Sequence, residues 1–126
     1  MPLSIAQIGT NFINEITEYL SESQGILPFT EMEREITEIV QSCACDLLSQ
    51  YLEEVDACLL SDKTARRRAG YSVERRCDER RLLTTFGELC YARTYYAHKD
   101  GSYAYLLDQA VGLENYARVS DGVAVS

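Results

Sequence analysis

Apolar residues recur at helical steps of three and four through the first half of the chain, and a strand-like pattern of β-branched and aromatic residues replaces them in the second. Over residues 3 to 21, Ile5, Ile8, Phe12, Ile16 and Tyr19 share one face of an amphipathic helix. Ser21 to Gly25 is small and polar and ends it, with Gly25 suited to the left-handed C′ position. Ile26-Leu27-Pro28-Phe29 makes a break, because the proline pushes Leu27 out of helical geometry. Thr30-Glu31-Met32-Glu33 then has the form of a capping box. It predicts a helix from Thr30 to about Ser61, roughly 45 Å long at 1.5 Å per residue. The apolar stripe of that helix runs through Met32, Ile36, Ile39, Cys43, Leu47, Tyr51 and Val55, while its glutamates mostly take other faces.

Residues 62 to 81 read as a charged connector that carries Arg66-Arg67-Arg68, Arg75-Arg76 and Arg80-Arg81, with room for a first strand at Tyr71 and Val73. Such a charge run ordinarily marks a solvated helix extension or strand. From Leu82 the enrichment in Thr and Tyr is that of strands. A reversal is expected at Phe86-Gly87-Glu88 and a tight hairpin turn at Asp100-Gly101, where positive φ is tolerated. The expectation is a three-stranded antiparallel meander over about residues 79 to 107, packed by its apolar face on the long helix, then a short turn or helix through Ala110 and Leu113. Ser120 resembles the cap of a further helix. The fold class is therefore α+β, divided into a helical region 1–62, a basic connector 63–81 and the meander with the start of a following element over 82–126.

Charge changes this picture. The net charge of −8 is unevenly spread: residues 1 to 62 hold twelve acids against Arg34 alone, and residues 63 to 93 hold nine bases against four acids. The acidic first half disfavours contact with phosphate, whereas the basic middle suits it. No basic, apolar leader and no run of about 18 apolar residues is present, so neither secretion nor a membrane span is expected and the chain reads as cytoplasmic. Cys43, Cys45, Cys58, Cys77 and Cys90 form no CxxC pair, which fits reduced thiols.

Candidate chemistry is sparse. Cys43 and Cys45 point to different sides of a helix and His98, the one histidine, falls in a turn, so no zinc site is expected. Cys90 or Ser102 as a nucleophile would need a positioned base that no motif supplies. Glu31, Glu33, Glu35, Glu53 and Glu54 alternate around a helix, and Gly87, Gly101 and Gly112 are isolated turn glycines that cradle no phosphate. Tyr91, Tyr95, Tyr96, Tyr103 and Tyr105 could stack on bases. Cross-strand packing with wet hydroxyls is the favoured reading of them.

A resemblance supplies what this chemistry does not. The ordered motifs are Leu47-Leu48 and Tyr51-Leu52-Glu53-Glu54, the Arg-rich stretch, Thr85-Phe86-Gly87-Glu88, Arg93-Thr94-Tyr95-Tyr96, Tyr103-Ala104-Tyr105-Leu106-Leu107-Asp108, Gly112-Leu113-Glu114 and Tyr116-Ala117-Arg118-Val119-Ser120. In order and spacing they resemble the N-terminal region of the ISLre group of bacterial insertion-sequence transposases, long grouped as an uncharacterised protein family. The resemblance covers about residues 30 to 122. It implies DNA transposition, with a metal-dependent catalytic domain lying beyond residue 126; none of the acids present is carried over as catalytic, and the chain as it stands is expected to be no enzyme and to hold no cofactor or metal. It also implies weak duplex DNA binding, for which Arg66, Arg67, Arg68, Arg75, Arg76, Arg80 and Arg81 form the basic stretch. A homodimer is expected through Ile36, Ile39, Cys43, Leu47, Tyr51 and Val55, because the stripe is longer than the meander covers. The rival readings are a pure homo-oligomerisation module that binds no DNA and, ranked last, a stand-alone enzyme.

Overall fold

The computed structural model describes residues 4–22 and 25–113. The expected helix at Ser120 and the motifs after Leu113 lie outside them. The elements are α1 (Ile5–Glu22), α2 (Phe29–Ser61), α3 (Lys63–Arg68), β1 (Tyr71–Thr84), β2 (Gly87–His98), β3 (Tyr103–Ala104) and α4 (Leu106–Val111). The α+β class and the antiparallel three-stranded sheet, in the order β1-β2-β3, are as the sequence predicts.

A capping box is present, at a different helix. Ser4 Oγ accepts from the Gln7 N–H while Gln7 Oε1 accepts from the Ser4 N–H, which closes the start of α1. At α2 the N-cap is Pro28, and no side chain caps the helix. With Pro28 extended at ψ 132°, the chain is free to turn helical at Phe29, so Thr30 sits inside the first turn rather than ahead of it. Glu31 there complements the positive end of the helix dipole.

α1 folds back antiparallel on the first half of α2. Its start places Ile8 beside Cys45 and Ser49, and its end places Tyr19 among Glu31, Arg34 and Glu35. This changes the expected dimer stripe, because a helix of the same chain already covers part of it. Ile39 is buried in the α1–α2 seam and Val55 packs on the sheet cluster, so of the six expected interface residues Tyr51 alone is exposed.

The second half of α2 carries the core. Leu52 joins Leu82, Leu89, Tyr91 and Leu107 in one buried cluster, with Leu48 and Leu59 packed against it. Three polar side chains of α2, spaced i, i+4 and i+7, meet the backbone of β2. Ser49 Oγ donates to Cys90 O, Glu53 Oε1 accepts from the Ala92 N–H, and Asp56 Oδ1 accepts from the Thr94 N–H, at 2.9 to 3.0 Å. β3 pairs with β2 only at Tyr96 and Ala97. The helix thus covers what would otherwise be an open sheet edge. Seven helical residues rise about 10 Å and four strand residues about 13 Å, close enough for the two spacings to run in step.

The basic connector is not a connector. Asp62 Oδ1 accepts from the Ala65 N–H and caps α3, and β1 begins at Tyr71, eight residues before the expected start. This first part, where the sequence leaves room for a strand at Tyr71 and Val73, is irregular, with register shifts between Val73 and Arg75 and between Arg75 and Asp78, and with Cys77 at φ 61°. Two bulges break the period of two that a strand reading depends on. Gly70, at φ 88°, lets the chain enter β1 close to the second hairpin, since a Cβ there would lie 3.1 Å from His98 Nε2 and from the Lys99 side chain. Gly112 ends α4 in the left-handed conformation, with the Leu113 N–H donating to Asp108 O at 2.7 Å.

Candidate nucleic-acid interface

The seven arginines of the basic stretch divide by environment. Arg67 and Arg68 on α3 and Arg76 in the β1 bulge are exposed and form no ion pair among the described residues. Arg66 turns inward, donating to Leu60 O at 3.4 Å with its guanidinium 5.9 Å from the Tyr96 ring centroid. Arg75 lies 4.5 Å from the Tyr95 ring centroid and donates to both carboxylate oxygens of Asp78 at 2.8 to 3.0 Å. Hydrogen bonds from Arg75 and Tyr105 hold the Asp78 carboxyl below the usual range against a desolvation that pushes it up, and the Asp78 bond in turn raises Arg75. Arg81 is exposed, 3.8 Å from Glu88. Arg80 is corrected outright: its side chain is buried, so it presents nothing to a phosphate.

Arg80 belongs to an ionic centre that sequence reasoning missed. Asp108, on α4 and fully buried, accepts from Arg80 at 3.0 Å, from Arg93 and from the Tyr91 hydroxyl at 3.0 Å. Arg80 also donates to Tyr91 Oη at 3.3 Å. Burial, then the neighbouring carboxylate charge, pushes the Tyr91 phenol up to about 12. The Arg93 guanidinium lies 3.5 Å from the Tyr105 ring centroid, and the Tyr105 hydroxyl donates to Asp78 at 2.9 Å. The centre fastens α4 to the sheet and is closed to a substrate. A signal for it was available: Arg80 and Leu82, and Tyr91 and Arg93, are two apart on paired strands and share a face, and Asp108 follows two leucines into the core.

The remaining candidates find structural places. Tyr91 and Tyr96 are buried, while Tyr95 stacks on Tyr103 with ring centroids 5.3 Å apart, so the tyrosines mainly pack the sheet. The five cysteines are free thiols. Burial, then Asp46, pushes Cys43 and Cys45 up, away from thiolate character. Glu53, whose carboxylate lines an open depression of about 370 Å³ with Asp46 and Glu88, is committed to the Ala92 N–H. Among the described residues no three His, Cys, Asp or Glu gather as a metal site requires, and no helix is long and apolar enough to cross a membrane.

These features define a small α+β module: a helical hairpin, a bulged antiparallel meander locked by a buried carboxylate, and an arginine-bearing pole beside α3. The chain belongs to the uncharacterised protein family UPF0236, whose profile matches residues 22–126. It is 33% identical over 128 residues to the UPF0236 protein TTE2489 of Caldanaerobacter subterraneus subsp. tengcongensis, covering 99% of this chain and 27% of that one. A second protein of that organism, whose printed name joins eleven locus designations from TTE0033 to TTE2212, is 32% identical over 123 residues, covering 96% of this chain and 26% of that one. The UPF0236 protein in the vanSb 3′ region of Streptococcus gallolyticus is 31% identical over 109 residues, covering 86% and 22%. The chain thus spans about a quarter of the length of the curated relatives it matches. No solved structure matches it significantly.

Proposed function

We propose that the chain is the DNA-engaging or assembly module of a transposase-like protein of the cytoplasm, without catalytic activity of its own. The observation that carries the reading is the pole at α3 and the β1 bulge, where Arg67, Arg68 and Arg76 stay exposed and, among the described residues, unpaired while the other arginines of the stretch are engaged. Guanidinium groups in that condition suit the phosphate backbone and carry no sequence preference. The resemblance to insertion-sequence transposases supports the same class. So does the relative whose name joins eleven loci of one organism, since copies at many places in a genome are what a mobile element leaves.

The acids in the first turns of α2 do not veto this, although Glu54 and Asp62 stand close to α3 and oppose phosphate. Glu31 to Glu38 lie about 35 to 45 Å along α2 from its end at Ser61. That is several screening lengths at about 0.1 M salt. If Arg67, Arg68 and Arg76 each neutralise one phosphate, the log–log salt slope for duplex retention is about −2.7. The test is electrophoretic retention of a random-sequence duplex at low salt by the wild type, by Arg67→Glu with Arg76→Glu, and by Arg34→Glu. Retention is expected to vanish in the double variant and persist in Arg34→Glu. No retention by the wild type at about 20 mM salt, where screening is weak, or equal retention by both variants, overturns the proposal.

A further inference from the structure

The outer edge of β1 carries a row of backbone donors and acceptors with no partner among the described residues. β1 stands at one end of the sheet and pairs regularly with β2 from Asp78 to Thr84, and among the described residues no backbone hydrogen bond reaches its other side. Which residues face outward follows from β2. Cys90 O, Ala92 N and Thr94 N all point to α2, so Tyr91 and Arg93 face β1, and their partners Arg80 and Asp78 face β2. Glu79, Arg81 and Leu83 therefore turn their N–H and C=O groups outward, and all three side chains are exposed.

We propose that this edge pairs with the same edge of a second copy, antiparallel about a two-fold axis at Arg80, with Glu79 of each chain opposite Arg81 of the partner subunit. Only registers that set outward residues against outward residues form a ladder, and charge selects among them. An axis at Glu79 or at Arg81 places like charges directly opposite. An axis at Leu82 sets Arg81 against an apolar Leu83. An axis at Arg80 makes two opposite-charge pairs on the solvent face, each a favourable cross-strand contact. Arg80 itself adds no charge at the axis on that face, because its side chain turns to the other face and onto Asp108.

Two further features fit a closed dimer rather than a growing sheet. The bulge at Cys77 and the Thr85-Phe86 turn confine regular pairing to a few residues, and α2 covers the far edge of β2. The pairing takes no side chain from the arginine pole and stands whether or not the module binds DNA.

Sedimentation velocity at low salt tests it on the 126-residue chain, as wild type, Glu79→Arg, Arg81→Glu and the double reversal. The wild type is expected to dimerise across the micromolar range, each single variant about tenfold more weakly as two symmetric pairs turn repulsive, and the double reversal as well as the wild type. Hydrogen exchange gives a second readout on the unmodified chain: the Glu79 and Arg81 amides slow as concentration rises. A wild type that stays monomeric, a dimer indifferent to the single reversals, or a double reversal that fails to restore pairing overturns the proposal, as do Glu79 and Arg81 amides whose exchange ignores concentration.

Discussion

The hairpin of α1 with the first half of α2 and the sheet packed on the second half of α2 share one unbroken helix, yet they are held together by different means. The hairpin buries little: Ile8 is the one buried residue of α1, while Ile5, Ile13 and Leu20 stay exposed. The sheet half buries an apolar cluster and beside it a carboxylate, two guanidinium groups and a phenol that pair with one another. Apolar packing tolerates slippage, whereas a buried ionic centre has one workable geometry. The sheet half is therefore expected to be the unique and cooperative part, and the hairpin the part that opens locally at less cost.

Removing the carboxylate is the largest test of that contrast. Asp108→Ala takes from the buried Arg80 and Arg93 the carboxylate to which both donate, for which about 3–5 kcal/mol is the expected loss. Against a total stability of about 5–15 kcal/mol, that takes the sheet half close to unfolding. Urea unfolding followed by tyrosine fluorescence measures it. Asp108→Asn, which keeps an acceptor in place, is expected to fall between the two. A loss below about 1 kcal/mol for the alanine variant would mean that water reaches the arginines and the centre is not what locks α4.

Alkaline pH probes the same centre more gently. Tyr91 titrates near 10.0 when unfolded and is pushed up to about 12 in the fold. Because the folded state holds this proton more tightly, its contribution is fully present below about pH 10 and is lost as pH rises through about 12. Tyrosinate absorbance should show Tyr91, like the buried Tyr96, ionising only with unfolding, and Tyr91→Phe should remove one phenol from that step. A Tyr91 that ionises with the exposed tyrosines would break the picture of a dry centre.

The two halves were also unequally legible. The helices α1 and α2 and both hairpin reversals follow from periodicity and turn chemistry, signals confined to neighbouring residues. What escaped depends on partners distant in sequence. Ile39 looked exposed until α1 folded over it, and Arg80 read as one of seven surface arginines because its carboxylate lies 28 residues on. Glu53 read as one of the glutamates alternating around a helix, and nothing local singled out Asp56, although their acceptors meet β2 amides 39 and 38 residues away. The early part of β1 reads only as room for a strand at Tyr71 and Val73 for a local reason, since its bulges remove the alternation by which a strand is recognised.

The smallest effect belongs to the hairpin, and it separates the halves most cleanly. Ile8→Ala removes the one fully buried contact of α1, which lies over Cys45, Ser49 and Leu89. The site is an open depression rather than a sealed cavity, so water can enter and the cost stays near the low end for isoleucine truncation, about 2 kcal/mol. If α1 opens on its own, that cost appears as faster amide exchange in α1 and in the facing first half of α2, while the amides of β1 and β2 keep their protection. The Asp108 centre takes no side chain from α1 and gives no reason for the change to spread. Equal loss of protection in both halves would show that the long helix couples them into one cooperative unit, and the contrast between packing and ionic locking would then hold for geometry but not for stability.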